Sequence, residues 1–218
     1  MEWDYEFDVV VVGSGNGALT AALCSHDGGA KTLVIEKSSQ FGGTSATSGG
    51  GVWIPNNRYA KAENVDDSDQ DARNYINSVS PEGMIKDELI ETYISEGPRM
   101  IDYLHENSQV KYRNLAHYPD YFPDNTGGKE GNRSMEPEPI FGTELGDDLG
   151  KLREQHPQTA FTMGPINMNF TQVEGQLLLG ALPGWKTQFA KLFTKYILDF
   201  PMRLKWGWKD RRLTMGNA

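Results

Sequence analysis

A short run of glycines near the start of the chain has the residue types and spacing of a phosphate-binding turn. Gly13, Gly15 and Ala18 fit the pattern G-x-G-x-x-[G/A]. In this pattern the first glycine permits a tight turn, the second admits a pyrophosphate close to the backbone, and the small third residue lets a helix pack on a strand. Backbone amides at the start of that helix then bind the phosphates. The pattern predicts a dinucleotide site, and the alternative is a turn that only links strand and helix.

A strand, a helix and a second strand must position this turn. Residues 7–12 are almost fully apolar and rich in β-branched valine, which predicts a strand buried on both faces, as in a parallel sheet. A helix is predicted from the glycine turn to about His26, and residues 31–36 predict a second parallel strand. Glu36 ends that strand, where a carboxylate can accept hydrogen bonds from ribose hydroxyls. The predicted fold class is α/β, with a Rossmann-like βαβ unit and a helical and loop extension.

A second glycine-rich segment favours FAD over NAD as the dinucleotide. Residues 41–51 are dense in Gly, Ser and Thr, so that much of their backbone is exposed for contact with a ligand. Phe41, Trp53 and Pro55 anchor the segment at both ends. The alternative interpretation is a flexible linker.

Further along, the chain predicts helices and then a long loop. Ser68 is a candidate N-cap for a helix that ends at Val79, and two more helices are predicted at residues 86–95 and 98–107. Residues 116–140 are rich in Pro, Gly, Asp and Asn, which predicts a long, structured loop. Its aromatic residues either contact a flat substrate or pack the loop on the core, and the residues alone leave both interpretations open.

Several segments resemble the opening of the fumarate reductase/succinate dehydrogenase-type flavoproteins, and most of all the 3-ketosteroid Δ1-dehydrogenases. They are V-V-V-V-G-S-G-N-G-A-L-T-A-A-L, V-I-E-K, F-G-G-T-S-A-T-S-G-G-G-V-W-I-P and P-D-Y-F. The resemblance is strong over residues 7–57, continues through Pro137, and is looser after residue 140. It implies an amino-terminal portion of a two-domain flavoprotein.

The resemblance also implies a set of site residues. The residues that would contact or accommodate FAD are Gly13, Gly15, Asn16, Gly17, Ala18, Glu36, Lys37, Gly42, Gly43, Thr44, Ser45, Ser48, Gly49 and Gly50. Tyr121 would be the catalytic tyrosine that supports the base through a hydroxyl–hydroxyl hydrogen bond, with Tyr118 and Phe122 as its apolar neighbours at the substrate. In such enzymes a tyrosinate-like base takes the C2 proton of a 3-oxo steroid while FAD N5 accepts hydride from C1.

The base tyrosine, the tyrosine that polarises the steroid carbonyl and a C-terminal flavin-binding segment belong to later parts of these enzymes. We therefore expect this chain to work with the C-terminal remainder of the flavoprotein, for which a second chain is one source. Two alternatives stay open. One is another flavoprotein of the same superfamily, such as a Δ4-(5α) steroid dehydrogenase or a fumarate-type reductase. The other is a non-catalytic FAD-binding subunit that tethers a partner.

Residues 185–212 differ in character from the rest of the chain. They hold eight basic residues against two acidic ones, and apolar residues recur with helical spacing from Phe189 to Phe200. Pro201 is expected to stop that helix, and Trp206 and Trp208 follow among basic residues. This pattern favours an anionic membrane surface, and the alternatives are ordinary packing or docking to a partner chain. The predicted divisions are residues 1–140, 141–184 and 185–212.

Composition excludes several classes of function. The net charge of −9 argues against general nucleic-acid binding. Cys24 is the single cysteine, so no internal disulfide forms, and its apolar neighbours predict a buried packing role. The histidines are scattered, and we predict no metal site. We see no secretory signal and no run of about 18 apolar residues, and we expect a cytoplasmic location, with peripheral association at the inner membrane as the extended hypothesis.

Overall fold

The computed structural model describes residues 4–163, 166–205 and 210–218, and the chain divides into two compact units. The first unit contains the described residues of 1–50, 139–170 and 183–217, and the second contains residues 51–138 and 171–182. Both units are therefore assembled from separate stretches of sequence. The divisions predicted from composition, after residues 140 and 184, stay a prediction.

The bounds of the regular elements are as follows. The strands are β1 (Val9–Val12), β2 (Thr32–Ile35), β3 (Val52–Trp53), β4 (Tyr112–Asn114), β5 (Ser134–Pro137), β6 (Ile140–Phe141), β7 (Ala160–Met163), β8 (Ile166–Asn169) and β9 (Arg212–Leu213). The helices are α1 (Asn16–Asp27), α2 (Arg58–Ala62), α3 (Asp69–Val79), α4 (Asp87–Asn107), α5 (Gln172–Leu179), α6 (Trp185–Leu198) and α7 (Phe200–Lys205). Short 3₁₀ segments lie at Ser45–Thr47, Gly142–Lys151, Pro157–Thr159 and Met215–Asn217.

The first unit opens with the predicted βαβ arrangement, which is confirmed. Strands β1 and β2 pair in parallel, with Val9 opposite Thr32 and Val12 opposite Ile35, and α1 connects them. The unit also contains the antiparallel pairs β6–β9 and β7–β8. It is therefore an α/β unit whose first turn joins a strand to a helix, as a dinucleotide site requires.

Two predictions of burial in this region are wrong. Strand β1 alternates between half-buried and exposed residues, and Val10 and Val12 are 51% and 77% exposed. Both-face burial needs further cover, and in the described chain β1 pairs with β2 alone. Cys24 is exposed on α1, a helix without a fully buried residue, so it does not have the predicted packing role.

The second unit is built on an antiparallel sheet in the order β3–β5–β4. Its main apolar cluster contains Ile54, Ile101 and Met135, all buried. A second cluster joins Ala72 of α3 to two isoleucines of α4. Packing of α3 and α4 against each other thus uses the apolar stripe that each helix presents.

Helix α3 begins as the sequence predicts, whereas the prediction of two helices after it is wrong. The hydroxyl of Ser68 accepts a hydrogen bond from the Asp71 backbone amide at 3.1 Å, which caps α3. Residues 87–107 form one continuous helix with Pro98 inside it. Proline removes one backbone hydrogen bond, but residues buried on both sides of it, Ile94 and Ile101 among them, hold the helix together.

The predictions for the loop and for the last helix need smaller corrections. Residues 134–137 of the predicted 116–140 loop form strand β5, while the stretch before it is irregular. Helix α6 ends at Leu198, and a second helix, α7, begins at Phe200. Pro201 lies in the first turn of α7, where a missing amide hydrogen costs nothing because that amide has no helical partner. Trp206 and Trp208 lie outside the described residues.

None of the helices in the described part of the chain combines the length and the apolar character that crossing a bilayer requires.

Candidate functional site

The glycine turn of the first unit presents backbone amides at the start of α1. Gly13 has a φ of +98°, and its amide donates to the Ile35 carbonyl at 2.7 Å, which ties the turn to β2. Gly15 is the N-cap of α1 and has no side chain to occupy the helix end. Asn16 and Gly17 are exposed in the first turn. An anion can therefore reach the amides and the positive end of the helix dipole.

A buried serine connects three parts of this site. Ser14 is 3% exposed, its hydroxyl donates to the Glu36 carboxylate, and it accepts from the Gly42 amide at 3.0 Å. The pKa of Glu36 lies below its ordinary value because the carboxylate accepts from the Ser14 hydroxyl and from the Ser38 amide. Glu36 is therefore an anion, suited to accept hydrogen bonds from hydroxyl groups. Lys37 follows it and is exposed.

The glycine-rich segment lies directly on the glycine turn. The Ser45 hydroxyl accepts from the Asn16 amide at 3.0 Å, and a Cβ added to Gly43 would lie 3.5 Å from Gly15 Cα. Gly42 has a φ of +105°. The two predicted segments thus form one backbone surface.

The far end of the glycine-rich segment packs on the last described stretch of the chain. The Gly216 amide donates to the Ser48 carbonyl at 3.2 Å, and Gly50 has a φ of +68° against Met215. The remaining predicted residues, Ala18, Thr44 and Gly49, are respectively half-buried, exposed and exposed. Every residue predicted for the cofactor therefore lies in the first unit.

The second unit contains a cavity of about 370 Å³ with mainly apolar walls, to which five aromatic residues contribute. Trp53, Tyr75 and Tyr118 contribute rings to its lining, and so do Tyr121 and Phe122, which are 84% and 58% exposed. Ser134 and Gln172 contribute polar groups. The structure therefore brings all three predicted substrate-site aromatics to one apolar cavity.

Close backbone approaches fix the loop that carries these aromatics. A Cβ on Gly131 would lie 2.1 Å from the Ala116 carbonyl oxygen, and one on Gly127 would lie 2.2 Å from that of Asp71. The loop is thus folded on itself and on α3.

Two acidic side chains and one arginine lie beneath the cavity. Arg133 is 1% exposed and forms ion pairs with Asp67 at 2.6 Å and Asp120 at 2.9 Å. Burial disfavours the charge of Arg133, but these two carboxylates outweigh that effect and raise its pKa above the ordinary value. The Asp120 carboxylate also accepts from the Trp53 indole at 2.6 Å.

Comparison with known proteins assigns the family. Residues 8–190 match the model of the FAD binding domain family, which is most of the chain. The chain belongs to the FAD binding domain family. Its α/β fold and its cofactor, FAD, follow from this membership.

Relatives of this FAD-binding chain include dehydrogenases of cyclic ketones. A 3-oxosteroid 1-dehydrogenase of Mycolicibacterium smegmatis is 38% identical over 168 residues, which cover 77% of this chain and 29% of that protein. A 4-oxocyclohexanecarboxylate 2-dehydrogenase of Sinomonas cyclohexanicum is also 38% identical, over 72% of this chain and 27% of the relative. The solved 3-ketosteroid Δ1-dehydrogenase of Sterolibacterium denitrificans, in complex with 1,4-androstadiene-3,17-dione, superposes with a TM-score of 0.89 at 39% identity. It covers 97% of this chain and 36% of that one. The chain thus spans about a third of the length of these proteins.

The residues of the first unit fit FAD. Amides at the start of α1 suit the pyrophosphate, the anionic Glu36 suits the adenosine ribose, and the open backbone at Gly49 admits a flat or extended ligand. In the described residues no group of three or more His, Cys, Asp or Glu side chains is arranged to hold a metal ion.

Sequence reasoning missed four residues that shape the two sites. Ser14 stands inside the quoted motif, and a hydroxyl between two motif glycines was a usable signal. Asp120 lies in the P-D-Y-F segment and Arg133 lies before Pro137 in the stretch of resemblance, but their pairing with each other depends on how the loop folds. Tyr75 gave no signal, since an aromatic residue on a helix face is ordinarily part of the core.

Proposed function

We propose that this chain supplies the FAD site and part of the substrate site of an FAD-dependent 3-oxosteroid 1-dehydrogenase, which introduces a C1–C2 double bond into a 3-oxo steroid. The aromatic cavity of the second unit carries the proposal. Its volume of about 370 Å³ and its aromatic lining suit a flat, apolar, polycyclic ligand better than a small carboxylated ring. The steroid-dehydrogenase relatives and the steroid bound in the solved neighbour support the same substrate class.

Tyr121 has the role of supporting the catalytic base. Its side chain lines the cavity and is exposed, so its hydroxyl is free to meet a second hydroxyl from the remainder of the enzyme. Such a hydrogen bond stabilises a tyrosinate that removes the C2 proton. Tyr118 and Phe122 provide apolar surface for the steroid rings.

FAD, when bound, accepts the hydride from C1. The chain's own residues hold it: the exposed Gly17 amide in the first turn of α1 binds the pyrophosphate, and the Glu36 carboxylate, which accepts from Ser14, also accepts from the adenosine ribose. Lys37, beside Glu36, also lies at the ribose.

The C-terminal remainder of the flavoprotein is the partner of this chain, and a second polypeptide is one source of it. Two observations support this part of the proposal. The relatives are about three times as long as this chain, and strands β1 and β2 expose apolar residues, including Val10, Val12 and Ile35. Exposed apolar surface of this kind favours association.

An anaerobic flavin titration tests the function. The isolated protein is expected to show oxidised-flavin absorbance, which bleaches on addition of a 4-en-3-one steroid when the C-terminal remainder is present and persists when residues 1–218 stand alone. Mass spectrometry should find a product that has lost two hydrogens. Bleaching by 4-oxocyclohexanecarboxylate but not by the steroid would contradict the substrate class, and turnover by residues 1–218 alone would contradict the need for a partner.

The segment 185–212 is the part of the chain that contacts an anionic membrane surface, which would place a cytoplasmic enzyme at the periphery of the inner membrane. Helices α6 and α7 expose Ile197, Leu198 and Leu204 by 51%, 75% and 57%. Lys191 and Lys195 are exposed on the same helix pair. Apolar side chains beside lysines suit the boundary between headgroups and acyl chains.

A further inference from the structure

A buried group of three charges underlies the aromatic cavity. The side chains of Arg133, Asp67 and Asp120 are only 2%, 3% and 2% exposed, and the arginine bridges the two carboxylates. Removing charges from water is costly, and well-packed apolar residues often replace a buried ion pair without loss of stability. Stability alone therefore does not explain why two acidic side chains and one arginine are buried under the cavity.

The carboxylate of Asp120 ties together parts of the chain that are far apart in sequence. One oxygen accepts from the Trp53 indole at 2.6 Å, and the other accepts from the Lys129 amide at 3.0 Å and from Arg133 at 2.9 Å. The Asp120 amide donates to the Lys129 carbonyl at 2.9 Å. Asp120 is thereby held to β3 and to both sides of its own loop.

Asp67 extends the same network away from the cavity. Its carboxylate accepts from the backbone amides of Asn56 at 2.8 Å and Ser68 at 2.9 Å, while it pairs with Arg133. Asp67 does not line the cavity. Its effect on the cavity is therefore indirect, and Arg133 is its link to Asp120.

Tyr121 is fixed through its two neighbours. Asp120 precedes it and is held as described, and the amide of Phe122 donates to the Tyr75 hydroxyl at 3.3 Å. Arg133 lies over the rings of Trp53 and Tyr75, with centroid distances of 5.5 and 5.7 Å. The exposed Tyr121 side chain thus projects from a backbone that is anchored on both sides.

We propose that the Asp67–Arg133–Asp120 group is a positioning element for Tyr121, so that the tyrosine is in place before the substrate binds. This inference rests on the proposed function of Tyr121. The planar guanidinium matches two carboxylates at once, which the single ammonium of a lysine does not do. A displacement of about 1 Å at a reacting group can cost about 100-fold in rate, so an irregular loop needs such an anchor.

The test replaces Asp67 by Asn in the FAD-loaded enzyme that includes the C-terminal remainder. We expect kcat to fall about tenfold or more, because Tyr121 is displaced, while KM changes less than about twofold, because the cavity walls remain. Hydrogen exchange of peptides within residues 116–133 should become faster. Glu91→Gln is the matched control, since it removes an exposed ion pair to Arg73 in the same unit. It should leave kcat, KM and the hydrogen exchange of residues 116–133 unchanged.

Two further variants keep the test decisive. Asp67→Glu retains the charge and should recover part of kcat, and Arg133→Lys should lower kcat as Asp67→Asn does. If Asp67→Asn does not fold, Arg133→Lys and Asp67→Glu give the same comparison. A lower melting temperature with unchanged kcat and unchanged exchange in residues 116–133 would overturn the positioning role. If the unmodified enzyme does not oxidise the steroid, the proposed function fails. The anchoring of the loop is tested separately, because unchanged hydrogen exchange in Asp67→Asn would overturn it whatever the substrate is.

Discussion

Gly49 and Gly50 are adjacent, but their surroundings differ. Gly50 has a φ of +68°, and a Cβ there would lie 2.4 Å from the carbonyl carbon of Met215, whereas a Cβ on Gly49 would meet nothing within 4 Å. A side chain costs about 1–2 kcal/mol in left-handed backbone, and overpacking adds about 1–3 kcal/mol. We therefore expect Gly50→Ala to lower the free energy of unfolding by about 2–5 kcal/mol.

Gly49→Ala is the matched control, with an expected change of less than about 1 kcal/mol. Urea unfolding of FAD-free protein measures both variants. FAD titration then separates packing from ligand contact, because Gly49→Ala weakens FAD binding only if the cofactor approaches that backbone. Equal destabilisation by the two substitutions would contradict the close approach of Met215 to Gly50.

The places of the glycines in the turn and of Glu36 after β2 could be predicted, because they depend on residue type and local spacing, whereas the contacts of these residues with FAD stay a prediction. Gly13 needs a positive φ, and only its neighbours in sequence decide that. The contacts of Ser14 with Gly42 and of Trp53 with Asp120 could not be predicted, because each joins residues that only the folded chain brings together.

Elements were predicted well where local signals dominate and poorly where tertiary contacts decide. The Ser68 cap fixed the start of α3. Two helices were predicted at residues 86–95 and 98–107, but burial of residues on both sides of Pro98 holds α4 together as one helix. The apolar sequence of β1 predicts a buried strand. Burial, however, depends on the elements that cover the strand, and the strand's own residues do not specify these.

The contact of α4 with α2 depends on a neutral histidine. The Tyr59 hydroxyl accepts from the Tyr112 amide at 2.9 Å and lies 2.8 Å from His105 Nδ1. Its own proton is thus available for that nitrogen, which can accept it only when unprotonated. Partial burial, together with the positive charges of Arg58 and Lys111, lowers the pKa of His105 below 6.5.

This arrangement makes stability depend on pH in a defined direction. Because the folded-state pKa is depressed, the unfolded chain takes up the proton first as the pH falls below about 6.5. The stabilising contribution is therefore complete above that pH and is lost as the pH falls through the lower folded-state value. Denaturant titrations between pH 7.5 and 5 should show this loss as a falling free energy of unfolding. His105→Gln should reduce the slope of that free energy against pH. An unchanged slope in the variant would rule out His105 as its source.

At the scale of the whole molecule, the sequence overstates the positive charge of residues 185–212. Arg211 pairs with Asp199, and Arg203, which is 2% exposed, lies over the Tyr196 ring and faces Asp210 at 3.5 Å. These arginines therefore stabilise the first unit from within and add little positive charge to its surface. Charge counting could not separate the two roles, because a lysine in water and a buried arginine contribute equally to the sum.

Membrane binding should accordingly depend on lysines and on exposed apolar residues. Sedimentation with vesicles of phosphatidylcholine alone, and of phosphatidylcholine with phosphatidylglycerol, separates the two contributions. Ile197→Ser with Leu198→Ser should weaken binding to both vesicle types, because less apolar surface enters the interface. Lys191→Gln with Lys195→Gln should weaken binding to anionic vesicles only, by about fivefold for each lysine.

High salt should reproduce the effect of the lysine substitutions, since a Debye length of about 3 Å at 1 M screens the headgroup charge. Leu89→Ser provides the matched control, because Leu89 is 57% exposed on α4 in the other unit. If neither double variant changes sedimentation while Leu89→Ser does, the membrane contact lies elsewhere. If no form of the protein sediments, the proposed membrane contact of residues 185–212 is wrong.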